Sequence, residues 1–152
     1  MTGDSAIEAL SSDECLAYLA ESQVGRVAVS TGALPAIYTV LFALHNGRVV
    51  LRVAPHSRLY QALCQAVVAF SADHFDEVTQ EGWSVLVQGI GEEATQPDLV
   101  DSLRSLPLRS WADPSESDSF ISISLDLVSG MRARRANQVP GAPQPLVVHS
   151  AQ

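Results

Sequence analysis

The dipeptide Asn46-Gly47 restricts this chain more than any other local feature. Both residues tolerate positive φ, as a two-residue type I′ turn requires, and they separate Ala36–Ala43 from Arg48–Val53. Those flanking runs are rich in β-branched and aromatic side chains, so the spacing predicts a tight antiparallel hairpin. A lone hairpin is marginal in water and needs further strands. The chain supplies them. Arg26–Ser30 alternates with period two before a Gly32–Pro35 turn, and Ala66–Asp73, Trp83–Glu93 and Phe120–Leu125 read as strands as well. A polar loop from His74 to Glu81 is expected ahead of the Trp83 run.

Three short helices are predicted around these strands. Ser11 and Glu14 have capping-box spacing ahead of Leu16, Leu19 and Ala20. Pro55-His56-Ser57 opens a helix carrying Leu59 and Leu63, and Thr95-Gln96-Pro97-Asp98 offers a cap and a first-turn proline to one carrying Leu99, Val100, Leu103 and Leu106. Mainly β with short helices is the fold class, and a six-stranded antiparallel barrel the architecture, because hairpin-connected strands need closure to hide their edges. Residues 1–135 form a single domain, and the Pro- and Gln-containing stretch 136–152 reads as a tail. A barrel this small is filled by side chains. Its ligands bind outside, against loops, helices or another subunit.

Composition excludes several function classes. With 152 residues, 47% of them apolar, the chain can bury the core of one domain. Seventeen acidic residues against nine basic ones leave a net charge of −8, which disfavours nucleic acid and anionic membrane surfaces as partners. There is no lysine, so lysine chemistry is excluded and any bound phosphate must be gripped by arginine, hydroxyl or backbone N–H groups. Cys15 and Cys64 lack CxxC spacing and read as buried free thiols. No apolar run approaches membrane-spanning length and the start, Met1–Ser5, is too polar for a signal peptide, so a cytoplasmic location is expected. His45, His56, His74 and His149 lack zinc-helix spacing, and no Gly-x-Ser-x-Gly segment accompanies Asp73 and Asp76. Tyr38 and Phe42 share a strand face and read as core. Arg132-Ala133-Arg134-Arg135 reads as a solvated charge run, the alternative being a contact to a cofactor phosphate from a partner subunit.

An ordered series of segments then carries a resemblance. Gly25-Arg26-Val27-Ala28-Val29, Pro35-Ala36-Ile37, Gly47–Arg52, Ser57-Arg58-Leu59, Ala69-Phe70 with Asp73, and Leu108-Arg109-Ser110-Trp111-Ala112 surround the most specific element, Gly82-Trp83-Ser84-Val85-Leu86-Val87-Gln88-Gly89. Over residues 11–132 this series resembles the pyridoxamine 5′-phosphate oxidase-like family of FMN-binding split barrels. The resemblance implies a homodimer, FMN sites at the interface and flavin-dependent redox chemistry on a small-molecule substrate. It places the cofactor grip at Arg52, Val53, Ser57 and Arg58, with Trp83, Ser84 and Trp111 about the flavin. Arg52 and Arg58 also read as ordinary surface charges, and Trp83 as a core anchor.

Departures from the family cluster at that grip. Val53 replaces a threonine, His56 stands where relatives carry glycine, and Arg58 replaces a lysine. Thr39-Val40-Leu41-Phe42 lacks the asparagine of the second strand, and Gly130-Met131-Arg132 replaces a Gly-Arg-Arg pattern. No second basic set is present for a substrate phosphate, so the expectation is the fold without the namesake activity. Two readings stand: an FMN-dependent oxidoreductase, with the deazaflavin F420 or haem as other cofactors, and a ligand-binding barrel without flavin.

Overall fold

The computed structural model describes residues 6–110 and 118–135. In chain order it comprises β1 (Ala6–Ala9), α1 (Ser12–Glu21), β2 (Val24–Thr31), β3 (Leu34–His45), β4 (Arg48–Val53), α2 (Arg58–Leu63), β5 (Val67–Asp76), β6 (Glu81–Glu93), α3 (Pro97–Arg104), β7 (Ser119–Ile123) and β8 (Leu127–Arg134). Strands β2 to β7 form a closed antiparallel ring in the order β6-β5-β2-β3-β4-β7, with β7 returning to β6. This is the six-stranded barrel read from the sequence. The hairpin turns as expected, with Asn46 at φ 49° and Gly47 at φ 69°.

Closure depends on β6, because its second edge is divided. Gly82–Gln88 pair with β8, whereas Gly91–Glu93 pair with β7. Between the two halves the Ser124 carbonyl crosses so close to Gly89 that a Cβ there would lie 1.7 Å from its oxygen. A side chain at Gly89 is excluded by backbone, which explains the glycine closing the Gly82–Gly89 block.

Alternation places the core inside the ring. Val27 and Val29 of β2 are buried while Arg26, Ala28 and Ser30 face out, and Val85 and Val87 of β6 join Leu51, Ile121 and Ile123 inside. Phe42 meets Phe70 edge-on at 4.7 Å, an arrangement aromatic rings favour, with Tyr38 packed beside this cluster. The capping box forms: Ser11 Oγ accepts from the Glu14 N–H at 3.2 Å, and the Ser11 N–H donates to Glu14 Oε1 at 3.1 Å. It orients α1 so that Cys15 and Leu19 are fully buried. Cys64 is half-buried, and neither cysteine forms a disulfide. Beneath α3 a smaller cluster gathers Val50, Leu103, Leu108 and Phe120. No helix among the described residues is long and apolar enough to cross a membrane.

Four expectations need correction. The loop from His74 to Glu81 is shorter, because β5 runs on to Asp76 and only residues 77–80 turn, held by Asp76 Oδ1 accepting from the Val78 and Thr79 N–H groups. Thr95 does not cap α3; Gln96 holds that position without a side-chain bond. Two strands escaped the sequence reading: β1 and β8 extend the sheet from β6 outside the barrel ring. The arginine run is accordingly no solvated appendage, since Arg132 and Arg134 lie in β8 and pair with Glu8. Trp111 and the stretch 136–152 lie outside the described residues.

Candidate functional site

Two separate places receive the residues singled out from the sequence. The first is the corner between β4 and α2. Arg52 lies at the strand end, where its Nε donates to Asp118 at 3.2 Å and its guanidinium lies 5.6 Å from the Phe120 ring centre. Asp118 is only 5% exposed, so this pair is shielded from solvent. Val53 next to it belongs to the barrel core, which turns its side chain away from any ligand at this corner. The chain then folds back tightly, the Ser57 N–H donating to the Ala54 carbonyl at 3.3 Å. Ser57 caps α2 by accepting from the Tyr60 N–H at 3.1 Å, and Arg58 follows, exposed.

His56 sits in this fold-back at φ 63°, in the left-handed region that glycine favours. A glycine would meet this backbone demand without strain, and the histidine meets it at a cost. Tyr60 extends the corner toward β6, donating its hydroxyl proton to Glu93 at 2.5 Å. That bond to the carboxylate pushes the phenol up to about 12, with burial adding to the shift.

The second place is the N-terminal end of β6. Strand register sets His74, Trp83, Arg132 and Glu8 side by side across β5, β6, β8 and β1. Residues directly opposite in a sheet share a face, so their side chains form one row. Above it α1 contributes Tyr18, stacked on Trp83 with ring centres 4.7 Å apart. Arg132 joins the layers: its guanidinium donates to Glu8 at 2.9 Å and to the Tyr18 hydroxyl at 3.5 Å, and lies 3.5 Å from Glu14. These bonds hold Arg132 protonated well above its ordinary range. In return, the Arg132 hydrogen bond holds the Glu8 carboxyl below its usual value, and the Ser11 N–H does the same for Glu14. Clefts of about 420, 390 and 240 Å³ open around this row, and His74 and Trp83 line all three. Ser84 points to the other sheet face, opposite Asp73 and Met131, and lines the smallest.

Within one chain these two places stand apart. Arg52 lies opposite Phe120, whose carbonyl accepts from the Ala94 N–H just beyond the end of β6, while Trp83 is near its start. The intervening strand is roughly 30 Å long at about 3.3 Å per residue. The sequence had pointed to Trp83, and to Arg132 only as part of a charge run, but not to Tyr18 or Glu81 beside them. Period-two alternation from Val85 back through Trp83 to Glu81 was the available signal for one of them.

The sheet's outer face has a separate character. Ile37, Val67, Leu86, Ile90 and Met131 are all exposed, interleaved with Ala28, Ala69 and Ser71 in register, and Arg26 bonds Asp73 at 2.9 Å among them. These apolar side chains share one solvent-facing side of the sheet.

The sequence pattern of the pyridoxamine 5′-phosphate oxidase family matches residues 11–132. The chain belongs to that family. An uncharacterized protein of Mycobacterium tuberculosis is 32% identical over 136 residues, covering 86% of this chain and 88% of that one. Among solved structures, a protein of Corynebacterium glutamicum named for pyridoxamine 5′-phosphate oxidase superposes with a TM-score of 0.74 at 24% identity, over 87% of this chain and 97% of its own. The FAD binding protein of Mycobacterium smegmatis gives 0.72 at 24% identity, over 85% and 99%. At these identities the two structures share the fold with this member of the pyridoxamine 5′-phosphate oxidase family.

Proposed function

We propose that this family member is a flavin-binding oxidoreductase that works as a pair of identical protomers and acts on a small molecule other than pyridoxamine phosphate. The observation carrying the cofactor is the β4–α2 corner, where one tight turn separates Arg52 from Ser57 and Arg58 and His56 holds a left-handed backbone. This donor set suits a phosphate: two guanidinium groups can supply paired N–H donors, and Ser57 adds a hydroxyl. The FAD-binding neighbour supports a flavin as the bound group. FMN, the smaller flavin, is our assignment.

When bound, a flavin supplies the hydride or electron transfer, and the protein supplies position and charge. Arg52 and Arg58 would neutralise the phosphate and Ser57 would donate its hydroxyl proton to it. Trp83 and Ser84 lie too far along β6 to help the same corner. Pairing through the apolar outer face, which includes Leu86 and Met131, would let one protomer's corner meet the partner's sheet. The partner thus completes the flavin site in this reading.

Asp118 favours a second reading, a ligand-binding barrel without flavin, because its carboxylate holds Arg52 where a phosphate would need it. Titration of purified protein with FMN, FAD, F420 and haem separates the two. The first reading expects a yellow protein that retains flavin on gel filtration, loses it in the Arg52→Ala/Arg58→Ala double variant, and binds FMN several-fold tighter as Asp118→Asn. A colourless protein whose melting temperature ignores every one of these compounds would falsify the flavin assignment.

A further inference from the structure

The largest of these three clefts carries a charge imbalance that its own ion pairs do not close. Its two guanidinium groups, Arg132 and Arg134, face Glu8 and Glu14 at 2.9–3.7 Å, so two positive charges meet two negative ones. Asp76 and Glu81 are left over on the same wall. The Val78 and Thr79 N–H groups bond Asp76 and keep its carboxyl below the ordinary range, hence ionised. Glu81 makes no salt bridge among the described residues; its Oε1 is enclosed without a donor there, and Arg132 Nε on the same cleft wall is enclosed without an acceptor. An acceptor sequestered from water in this way gains strongly from an incoming N–H.

Beside these carboxylates stands the stacked pair of Trp83 and Tyr18, with His74 next to Trp83 in register. Aromatic faces attract flat cations through the ring quadrupole, and two uncompensated carboxylates strengthen that preference. The same charges repel phosphate. We propose that this cleft binds a planar, positively charged nitrogen heterocycle, its ring against the Trp83–Tyr18 wall and an N–H group on Glu81. The proposal uses none of the residues at the β4–α2 corner and shares only Trp83 with those the family resemblance places about the flavin.

Calorimetric titration of the full chain with proflavine, a flat cation, and with 2-naphthalenesulfonate, a flat anion, tests it. Proflavine should bind saturably at one site per chain, and the sulfonate should give no saturable heat. Glu81→Gln should weaken proflavine about tenfold, the loss expected for one charge-assisted hydrogen bond. Asp98→Asn, which removes an equal charge from the first turn of α3, should leave binding unchanged. Tyr18→Leu deletes the stacked ring while retaining Glu81 and should weaken binding by a similar factor; unchanged binding overturns the proposal. Melting curves of the unliganded variants establish that each is folded. Absence of saturable proflavine binding, equal weakening by Glu81→Gln and Asp98→Asn, or comparable binding of the sulfonate overturns the proposal.

Discussion

Replacing Gly89 by alanine tests whether β6 is shared between β8 and β7 as described. The added Cβ would lie 1.7 Å from the Ser124 carbonyl oxygen, 2.7 Å from its carbon and 2.8 Å from Oγ. Two of these atoms are backbone, so no rotamer change relieves the overlap and the β7 end must move by more than 1 Å, from 1.7 Å to the 3.0 Å that real contacts require. That movement breaks two bonds which tie the crossing together: Ser124 N–H to the Ile90 carbonyl at 3.1 Å, and Ile90 N–H to Ser124 Oγ at 2.9 Å. Each contributes about 1 kcal/mol net. Overpacking adds about 1–3 kcal/mol. The total, about 3–5 kcal/mol, is a large part of a domain's usual 5–15 kcal/mol (an approximate range). For a chain of this size each kcal/mol shifts the midpoint by about 2–4 °C, so the melt should fall by roughly 6–20 °C. Gly32→Ala is the control, since Gly32 has φ 55° with open space around it and alanine there costs only about 1–2 kcal/mol of left-handed backbone. Thermal unfolding followed by circular dichroism reads both. If Gly89→Ala melts no lower than Gly32→Ala, the shared-strand description of β6 is wrong.

Other consequences are accessible to simple measurements. His56→Gly removes about 1–2 kcal/mol of left-handed strain against roughly 0.5–1 kcal/mol of added chain entropy, so the melting temperature should rise by a degree or two; a fall means the His56 ring, 5.9 Å from Tyr60, holds the corner. Tyr60 titrates in the folded chain at about 12, above an ordinary phenol near 10. Its contribution to stability is therefore complete below pH 10 and disappears as the pH rises toward 12. Ultraviolet titration should find a late-ionising tyrosine, restored toward the ordinary range by Glu93→Gln; tyrosines that all titrate together contradict the Tyr60–Glu93 bond. Leu86→Arg places a charge on the outer face at the proposed pairing surface, so sedimentation should change from dimer to monomer with the fold intact. A wild-type protein that sediments as a monomer refutes the pairing.

Much of the barrel was legible because its cues are local. Asn46-Gly47 needs no partner to favour its turn, and the Ser11–Glu14 box closes within one helical turn. The alternation of Val27 and Val29 with Arg26 and Ala28 announces an inside and an outside before any neighbour is known. Arg52, Ser57 and Arg58 were legible as a group because one short connection joins them.

The remainder is written in contacts between distant segments. Strand β1 is four residues without a turn signal, and β8 interrupts its pattern with Gly130 and carries Arg132 and Arg134. Gly130 is small because Cys15 of α1 lies against it; a Cβ there would come within 2.8 Å of the thiol sulfur. The end of β5, His74 to Asp76, is exposed throughout and alternates in nothing, so only hydrogen bonding to β6 makes it a strand. The sequence by itself determined the ring of six strands, since turn chemistry and alternation act over a few residues. Tertiary structure alone decided which groups share a cleft: Tyr18, Glu81, Trp83 and Arg132 come from three elements, and only the register between β5, β6 and β8 under α1 brings an aromatic wall to these carboxylates.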